Sequence, residues 1–521
     1  MPTAAIIGAG PGGLVAARWL KKEGFEPVIF ELGDRLGGQW AGDPRTSGVW
    51  SSMRTNTSRV MTEFGDFPHL PNTATYPTNQ EIQTYLERYA ERFDLVSHLH
   101  SGTCVQNIDR DGQSGWIVRF SGKDGTSGEQ TFSHVVIATG RFSQPAIPPV
   151  PGLESFSGSG GISHTFGYKN SEDYRGLRVL VAGCAISALE IASDLAMLGA
   201  SRVITTNRRQ RYVLNKLIAG VPSDQLIFTR FAALAGESMP ADVVTQALKD
   251  FIIQNCGSPE QFGALKPADD FMEAGVTLSQ YFLPLVAEGR IETKPWIASV
   301  DGQTVRFADG SVAEVDAILF GTGYHLNLSF LSPAIRRTLN AGDHDLDLYR
   351  LTFHPDLPDL AFVGMFEQIG PYFPSLELQA RWIAYSWAGA RPLAPREQMA
   401  AGIAALRAQS AEASHVPFHV AATQFAREAG VEPDITRWPE LVRVLLFGPL
   451  TPISYRLEGR DSLPEAPRLM AEAAAIFGAT PSNKLTEQQC FQLRRLAEAR
   501  NDSSFNRFVD AIAAADPATT A

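Results

Sequence analysis

Residues 3–31 read TAAIIGAGPGGLVAARWLKKEGFEPVIFE. TAAII is a short apolar run of strand length, and an apolar-periodic helix follows through LVAARWLKKEG. PVIFE is a second strand, ending on Glu31. Between the first strand and the helix, Gly8, Gly10 and Gly13 make GxGxxG. Gly8 permits the tight turn, Gly10 lets the backbone approach a pyrophosphate, and Gly13 lets helix and sheet pack closely. The helix N-terminus offers unpaired N–H groups and a positive dipole to phosphates. Glu31 can accept the ribose hydroxyls of an adenosine. Strand, glycine loop, helix, second strand and terminal acid together specify a dinucleotide site, which the glycines alone would not.

A second unit begins at LRVLVAG (177–183), with a helix over about 186–198 and a strand RVITT at 202–206. Its fingerprint is blurred: Gly183 holds the first position, whereas Ala185 and Ala188 hold the second and third. Gly183 and Ser187 are still expected to face a nucleotide, because the strand–helix–strand rhythm is complete. Arg208 and Arg209 follow the second strand, where a guanidinium can pair bidentately with a 2′-phosphate. That favours NADPH over NADH. Arg211 reads as a solvated turn residue. Two such units in one chain suggest FAD in the first and the nicotinamide in the second. GGQW at 37–40 (Gly38, Gln39, Trp40) adds a glycine turn and an aromatic. The strand HVVIATG ends on Thr139 and Gly140, a further nucleotide contact.

The pattern predicts an α/β fold with two Rossmann-like dinucleotide-binding domains, the NADPH domain inserted in the FAD domain, and a C-terminal helical extension. The expected FAD domain covers 1–150 and 325–460. The NADPH domain covers 165–324, with a mostly helical insertion around 210–286, and 461–521 forms the helical extension. A helix over 79–93 is expected with Asn79 as its cap. One helix (QQCFQLRRLAEAR) and a frayed PATTA end close the chain.

The 521 residues include 56 acidic and 45 basic side chains, a net charge of -11, which disfavours non-specific nucleic-acid binding. Four widely spaced cysteines without CxxC argue against a disulfide framework, a cysteine-rich metal site or a disulfide reductase. The 10 histidines form no HExxH, and no metal site is expected. The glycine-rich N-terminus has no basic flank and reads as folded protein rather than a signal. No uncharged apolar run reaches 18 residues, so no membrane span is expected. A cytoplasmic enzyme fits these features, with a homodimer as the default assembly.

Further motifs carry a family resemblance. They are GGQW, NTSRVMTEFGDFPH (56–69), YPTNQEIQTYLERYAERFDL (76–95), FGTGY (320–324), PSLELQARW (374–382) and GPLTPISYRLEG (448–459). In this order and spacing, from residue 4 to about 475, the chain resembles the class B flavin-dependent monooxygenases, in the flavin-containing monooxygenase branch, with Baeyer–Villiger enzymes as cousins. The family fingerprint FxGxxxHxxxY/F is matched by Gly160, His164 and Tyr168. Gly158 stands at the phenylalanine position and Phe156 two residues early, a shifted linker. The resemblance implies that His164 organises the linker and the nicotinamide, and that Asn56 lies near the isoalloxazine, its amide donating to developing charge. It places Thr322 and Gly323 of FGTGY at the cofactor. It implies FAD and NADPH as cofactors, O2 as co-substrate and a C4a-hydroperoxyflavin that oxygenates the nitrogen or sulfur of a small molecule. A Baeyer–Villiger oxygenation of a ketone would call for an active-site arginine, for which Arg54 is the candidate, although a structural salt bridge fits it better. An NADPH oxidase and an FAD-binding regulatory protein are the remaining alternatives.

Overall fold

In the computed structural model, which describes residues 1–112, 115–408 and 415–515, the opening stretch folds as β1 (Thr3–Ile7), α1 (Pro11–Lys22) and β2 (Glu26–Phe30). Gly10 caps α1 and Pro11 takes its first turn, where a missing N–H is harmless. Lys21 and Lys22 favour its negative end, and Gly24 at φ +88° turns the chain away. Every residue from Gly12 to Leu20 is buried. The helix is therefore sandwiched and not laid on the surface.

The first sheet continues through α2 (Asn79–Arg92), β3 (Leu99–His100) and β4 (His134–Ile137). The chain then leaves it. β5 (Gly161–His164), β6 (Arg178–Ala182), α3 (Ile186–Leu198), β7 (Arg202–Asn207), β8 (Ile291–Pro295) and β9 (Ala317–Phe320) build a second sheet, all parallel, in the order β8-β7-β6-β9-β5. Only then do β10 (Phe353–His354) and β11 (Leu357–Phe362) return to the first, whose order is β10-β11-β4-β1-β2-β3. Leu360 pairs with Val135, and Val135 with Ala5, so residues near 360 complete a sheet begun at residue 3. Two Rossmann-like domains result, the second inserted in the first. On one face of the first sheet α1 packs against α4 (Phe373–Trp387), which packs in turn against α5 (Phe418–Ala429), with Trp19 and Trp382 fully buried in one apolar cluster. On the other face, an antiparallel layer brings Trp116, Val118 and Phe132 against Phe30, Val135 and Ile137.

Three expectations change. The cap of α2 is Thr78, not Asn79. The Thr78 hydroxyl accepts from the Glu81 N–H (3.1 Å) and the Glu81 carboxylate accepts from the Thr78 N–H (2.8 Å), a complete capping box. Asn79 instead donates its amide to the Trp50 carbonyl (3.0 Å). The 210–286 region is not uniformly helical. Tyr212–Leu214 and Val276–Leu278, runs of β-branched and aromatic residues, pair in parallel beside the helices Arg230–Ser238 and Ala241–Cys256. Near the C-terminus a second helix, Ser503–Ala515, follows Glu487–Arg500. Asp502 starts it by accepting from the N–H groups of Ser504 (3.0 Å) and Phe505 (3.2 Å). The PATTA end lies outside the described residues.

Candidate active site

At the first glycine loop, a Cβ on Gly8 would stand 2.5 Å from the Ala138 carbonyl oxygen, and one on Gly13 would stand 1.8 Å from the Gly8 carbonyl oxygen. These two glycines bring strand and helix together. Gly10 meets only the backbone of Gly38, 3.5 Å from its would-be Cβ. The GxGxxG turn and the GG turn at 37–38 thus lie side by side, and any side chain on Gly38 would press on Gly10 at 2.9 Å. Gln83 of α2 secures this second turn by donating to the Leu36 carbonyl (2.9 Å). Glu31 is 5% exposed, and each carboxylate oxygen accepts one backbone N–H, from Ala9 (2.7 Å) and from Gly33 (2.7 Å). Burial pushes its carboxyl upward while those two bonds oppose the shift. The result is a fixed acid with lone pairs still open to hydroxyl donors, as a ribose needs. Two facing glycine turns and a pinned carboxylate fit the adenosine and pyrophosphate of FAD. Of the other residues read in this region, Gln39 is exposed, Trp40 packs partly into the core, and Thr139 lies beside Met365 (3.9 Å) with Gly140 at φ +71°.

The second loop repeats the arrangement with its small residues exchanged. A Cβ on Gly183 would meet the Gly321 carbonyl oxygen at 2.3 Å, so this glycine is required. The Ala188 methyl is fully buried, and a Cβ on Gly321 would lie 2.8 Å from it. In the first domain glycine stands on the helix (Gly13) and alanine after the strand (Ala138). In the second, alanine stands on the helix and glycine after the strand. Close packing survives, and the loop fits a dinucleotide despite its blurred fingerprint. Ala185 caps α3 in extended conformation with no side-chain hydrogen bond, and Ser187 is half-buried in its first turn. Arg208 and Arg209 stand exposed directly after β7, the Arg208 guanidinium over the Trp296 ring at 4.6 Å. Arg211 departs from the reading of the sequence: it is half-buried, not solvated. The Thr322 hydroxyl donates to the Ala146 carbonyl (2.6 Å) and Gly323 accepts from Ala146 (3.0 Å), so this pair fastens the crossover between the domains.

The shifted linker motif has a direct geometric explanation. A Cβ on Gly158 would fall 2.4 Å from the tip of the Phe156 ring, so the earlier phenylalanine reaches back over the position that lacks one. His164 ends β5, 5% exposed, with its ring edge-on to Tyr324 at 5.0 Å. Its Nδ1 accepts from the Phe166 N–H (3.1 Å), which places the ring proton on Nε2, buried beside the Gly323 backbone. Burial lowers this imidazole to about 4, the Gly323 backbone opposing, so the ring is neutral at pH 7. Tyr168 donates to Asp194 of α3 (2.5 Å), and Asp194 also accepts from Ser52 (2.9 Å). Lys169 donates to the Ser47 carbonyl (2.7 Å). The linker therefore ties the loop that follows GGQW to the nucleotide helix of the second domain.

Asn56 is half-buried, and its amide has no hydrogen-bond partner among the described residues. Its neighbours are firmly held. The Thr55 N–H donates to the Pro77 carbonyl (2.9 Å), and Ser58 is clamped by the buried Asp224, through its N–H (2.5 Å) and its hydroxyl (3.0 Å). Thr57 and Thr62 share a hydroxyl contact at 2.8 Å. An unengaged amide on a rigid stretch is what a hydrogen bond to a bound ring requires. Asp224 lies 166 residues from Ser58, and nothing local in the sequence marks it. Arg54 is exposed and donates to the Tyr76 carbonyl (3.4 Å), not into a buried pocket.

Nearby, burial pushes the half-buried Glu63 carboxyl up to about 8, the His69 N–H (3.2 Å) offsetting only part. The folded value lies above the ordinary one of about 4.3. The contribution of Glu63 is therefore complete below that value and is lost as pH rises through 8. Glu63→Gln is expected to flatten the loss of stability between about pH 4 and 8, read as the unfolding midpoint across that range.

The sequence pattern of the flavin-binding monooxygenase-like family matches residues 2–474. The dimethylaniline monooxygenase [N-oxide-forming] 2 of Rattus norvegicus is 30% identical over 487 residues, 87% of this chain and 88% of that one. Among solved structures, the S-allyl-L-cysteine S-oxygenase of Allium sativum shares the fold with a TM-score of 0.58 at 23% identity, covering 99% of this chain and 98% of that one. The NADP+-bound cyclohexanone monooxygenase of Rhodococcus sp. Phi1 does so with a TM-score of 0.61 at 19% identity, over 83% and 98%. No helix among the described residues is long and apolar enough to cross a membrane. The chain belongs to the flavin-binding monooxygenase-like family, as an FAD-dependent monooxygenase that uses NADPH and O2.

Proposed function

We propose that this enzyme oxygenates a soft nitrogen or sulfur nucleophile of a small molecule, with Asn56 as the residue that touches the reacting centre. The observation that carries this reading is the free Asn56 amide between two clamped neighbours. Bound FAD, reduced by NADPH, supplies the activation of O2. The chain holds the flavin through Gly8, Gly10, Gly13, Glu31 and Gly38. It holds the nicotinamide dinucleotide through Gly183, Ser187, Arg208 and Arg209. Asn56 donates to the oxygen that carries charge in the transition state, and its fixed backbone removes the reorganisation such a bond would otherwise need. His164, neutral and buried, positions the linker and the nicotinamide.

Heteroatom transfer is preferred over Baeyer–Villiger chemistry because Arg54 is exposed and bonded to a backbone carbonyl, so it does not serve as a buried cation beside a flavin anion. The N-oxide-forming activity named for the 30% identical relative supports the same choice. Product analysis tests it. Tertiary amines and thioethers should give N-oxides and S-oxides in step with NADPH consumed, whereas lactones from cyclic ketones with no heteroatom product would overturn the reading. Replacing both Arg208 and Arg209 by alanine is expected to weaken NADPH binding about tenfold to a hundredfold, leaving NADH binding unchanged, because only the former carries the 2′-phosphate.

A further inference from the structure

Arg211 is a half-buried guanidinium with no hydrogen bond and no ion pair among the described residues. The other deeply placed arginines are all engaged: Arg18 with Asp66, Arg141 with Glu367, Arg230 with Glu432, Arg456 with Asp66, and Arg381 with the Tyr455 carbonyl and the Tyr385 hydroxyl. Burial of an arginine is ordinarily matched by an anion. Here the surroundings supply none. Arg209 adds a second positive charge, and the carboxylate whose field reaches Arg211 is Glu367. That carboxylate is already bonded on both oxygens, by Arg141 (2.9 Å) and by His415 (2.7 Å).

The backbone around Arg211 is fixed against the second glycine loop. Gln210 donates its amide to the Cys184 sulfur (3.5 Å) and to the Arg211 carbonyl (3.0 Å), and accepts from Asn207 at the end of β7 (3.1 Å). Asn207 Oδ1, in the same knot, is buried with no donor facing it. Cys184 directly follows Gly183 and directly precedes the uncapped start of α3. The unpaired cation therefore sits beside the free N–H groups at which a dinucleotide's diphosphate docks.

We propose that Arg211 is a ligand of the NADPH pyrophosphate, separate in role from Arg208 and Arg209 at the ribose end. It supplies charge where Ala185 replaces the glycine that would allow the closest backbone approach. This assignment rests on NADPH as cofactor and not on the identity of the oxygenated substrate.

The test is a calorimetric titration of the oxidised, FAD-loaded protein with NADP+ and, separately, with NAD+. Because the pyrophosphate is common to both, Arg211→Ala should raise both dissociation constants by the same factor, about tenfold or more. Arg211→Lys, a point charge without the fork, should recover part of the loss for both. A loss confined to NADP+ would assign Arg211 to the 2′-phosphate and overturn the proposal, as would unchanged affinity for both nucleotides. Since the side chain has no protein partner, both variants should keep their flavin-to-protein absorbance ratio, which separates lost binding from lost fold.

Discussion

Asn56→Ala should leave FAD bound and NADPH oxidation close to the wild-type rate, while oxygenated product per NADPH falls by about 10²–10³ and hydrogen peroxide takes its place. Removal of the amide orphans nothing in the protein, because the amide has no partner there. The backbone on either side stays held by Pro77 and Asp224. The defect should therefore be chemical and not structural. Simultaneous measurement of NADPH loss, product and peroxide checks it, and an unchanged product yield would remove Asn56 from the reacting centre. Asp224→Ala should reproduce the uncoupling more weakly, because it releases the Ser58 clamp without removing the amide.

The second large effect concerns stability. Asp66 lies in the segment that follows Asn56 and Glu63, and holds two buried arginines at once: Arg18 of α1 by both oxygens, with Nη1 to Oδ1 at 2.7 Å, and Arg456 at 2.6 Å. Its neighbour Gly65 donates to the buried Glu377 of α4 (2.6 Å). Arg18, Arg381 and Arg456 all stack around the fully buried Trp19, with guanidinium-to-ring distances of 4.8, 5.2 and 4.9 Å. Asp66→Ala leaves Arg18 and Arg456 without that acceptor, and breaking a buried pair from one side costs about 3–5 kcal/mol. The unfolding midpoint and the temperature of flavin release should both drop. Burial works to raise the Asp66 carboxyl, but the bond from Arg18 and the charge of Arg456 outweigh it and hold the value below the ordinary one. The stabilisation is thus present above about pH 4 and lost as pH falls through the depressed value. The wild-type advantage over Asp66→Ala should shrink on acidification.

Much of this architecture is written locally. The two strand–helix–strand units are contiguous, and each apolar period and turn glycine lies within some thirty residues of its partners, so the fold class is readable from residues 3–31 and 177–206. What escapes reading is decided across distance. Ser58 and Asp224 meet across 166 residues of chain, a contact that no local pattern records. Phe156 fills the place above Gly158 because a side chain can reach across two residues, which a spaced motif does not record. Arg211 reads as one more basic turn residue until Gln210 is seen to anchor its backbone to Cys184. At short range, Thr78 displaces Asn79 because its hydroxyl and Glu81 satisfy two backbone donors together. The second C-terminal helix carries its own apolar period at Phe505, Val509 and Ile512, and Asp502 marks its start.

In the second nucleotide loop the constraint acts on the pair Ala188 and Gly321, because a methyl on Gly321 would press on the Ala188 methyl at 2.8 Å. There, room exists for one methyl group between helix and strand end. Gly321→Ala should crowd Ala188 and loosen the second domain, and Ala188→Gly in the same chain should relieve it, a non-additivity that a double-mutant cycle would measure. Across related chains the two sites should covary: those with glycine at the helix position should tolerate alanine after the strand. A search that scores each glycine independently will therefore miss functional nucleotide loops that a test of summed side-chain volume would retain.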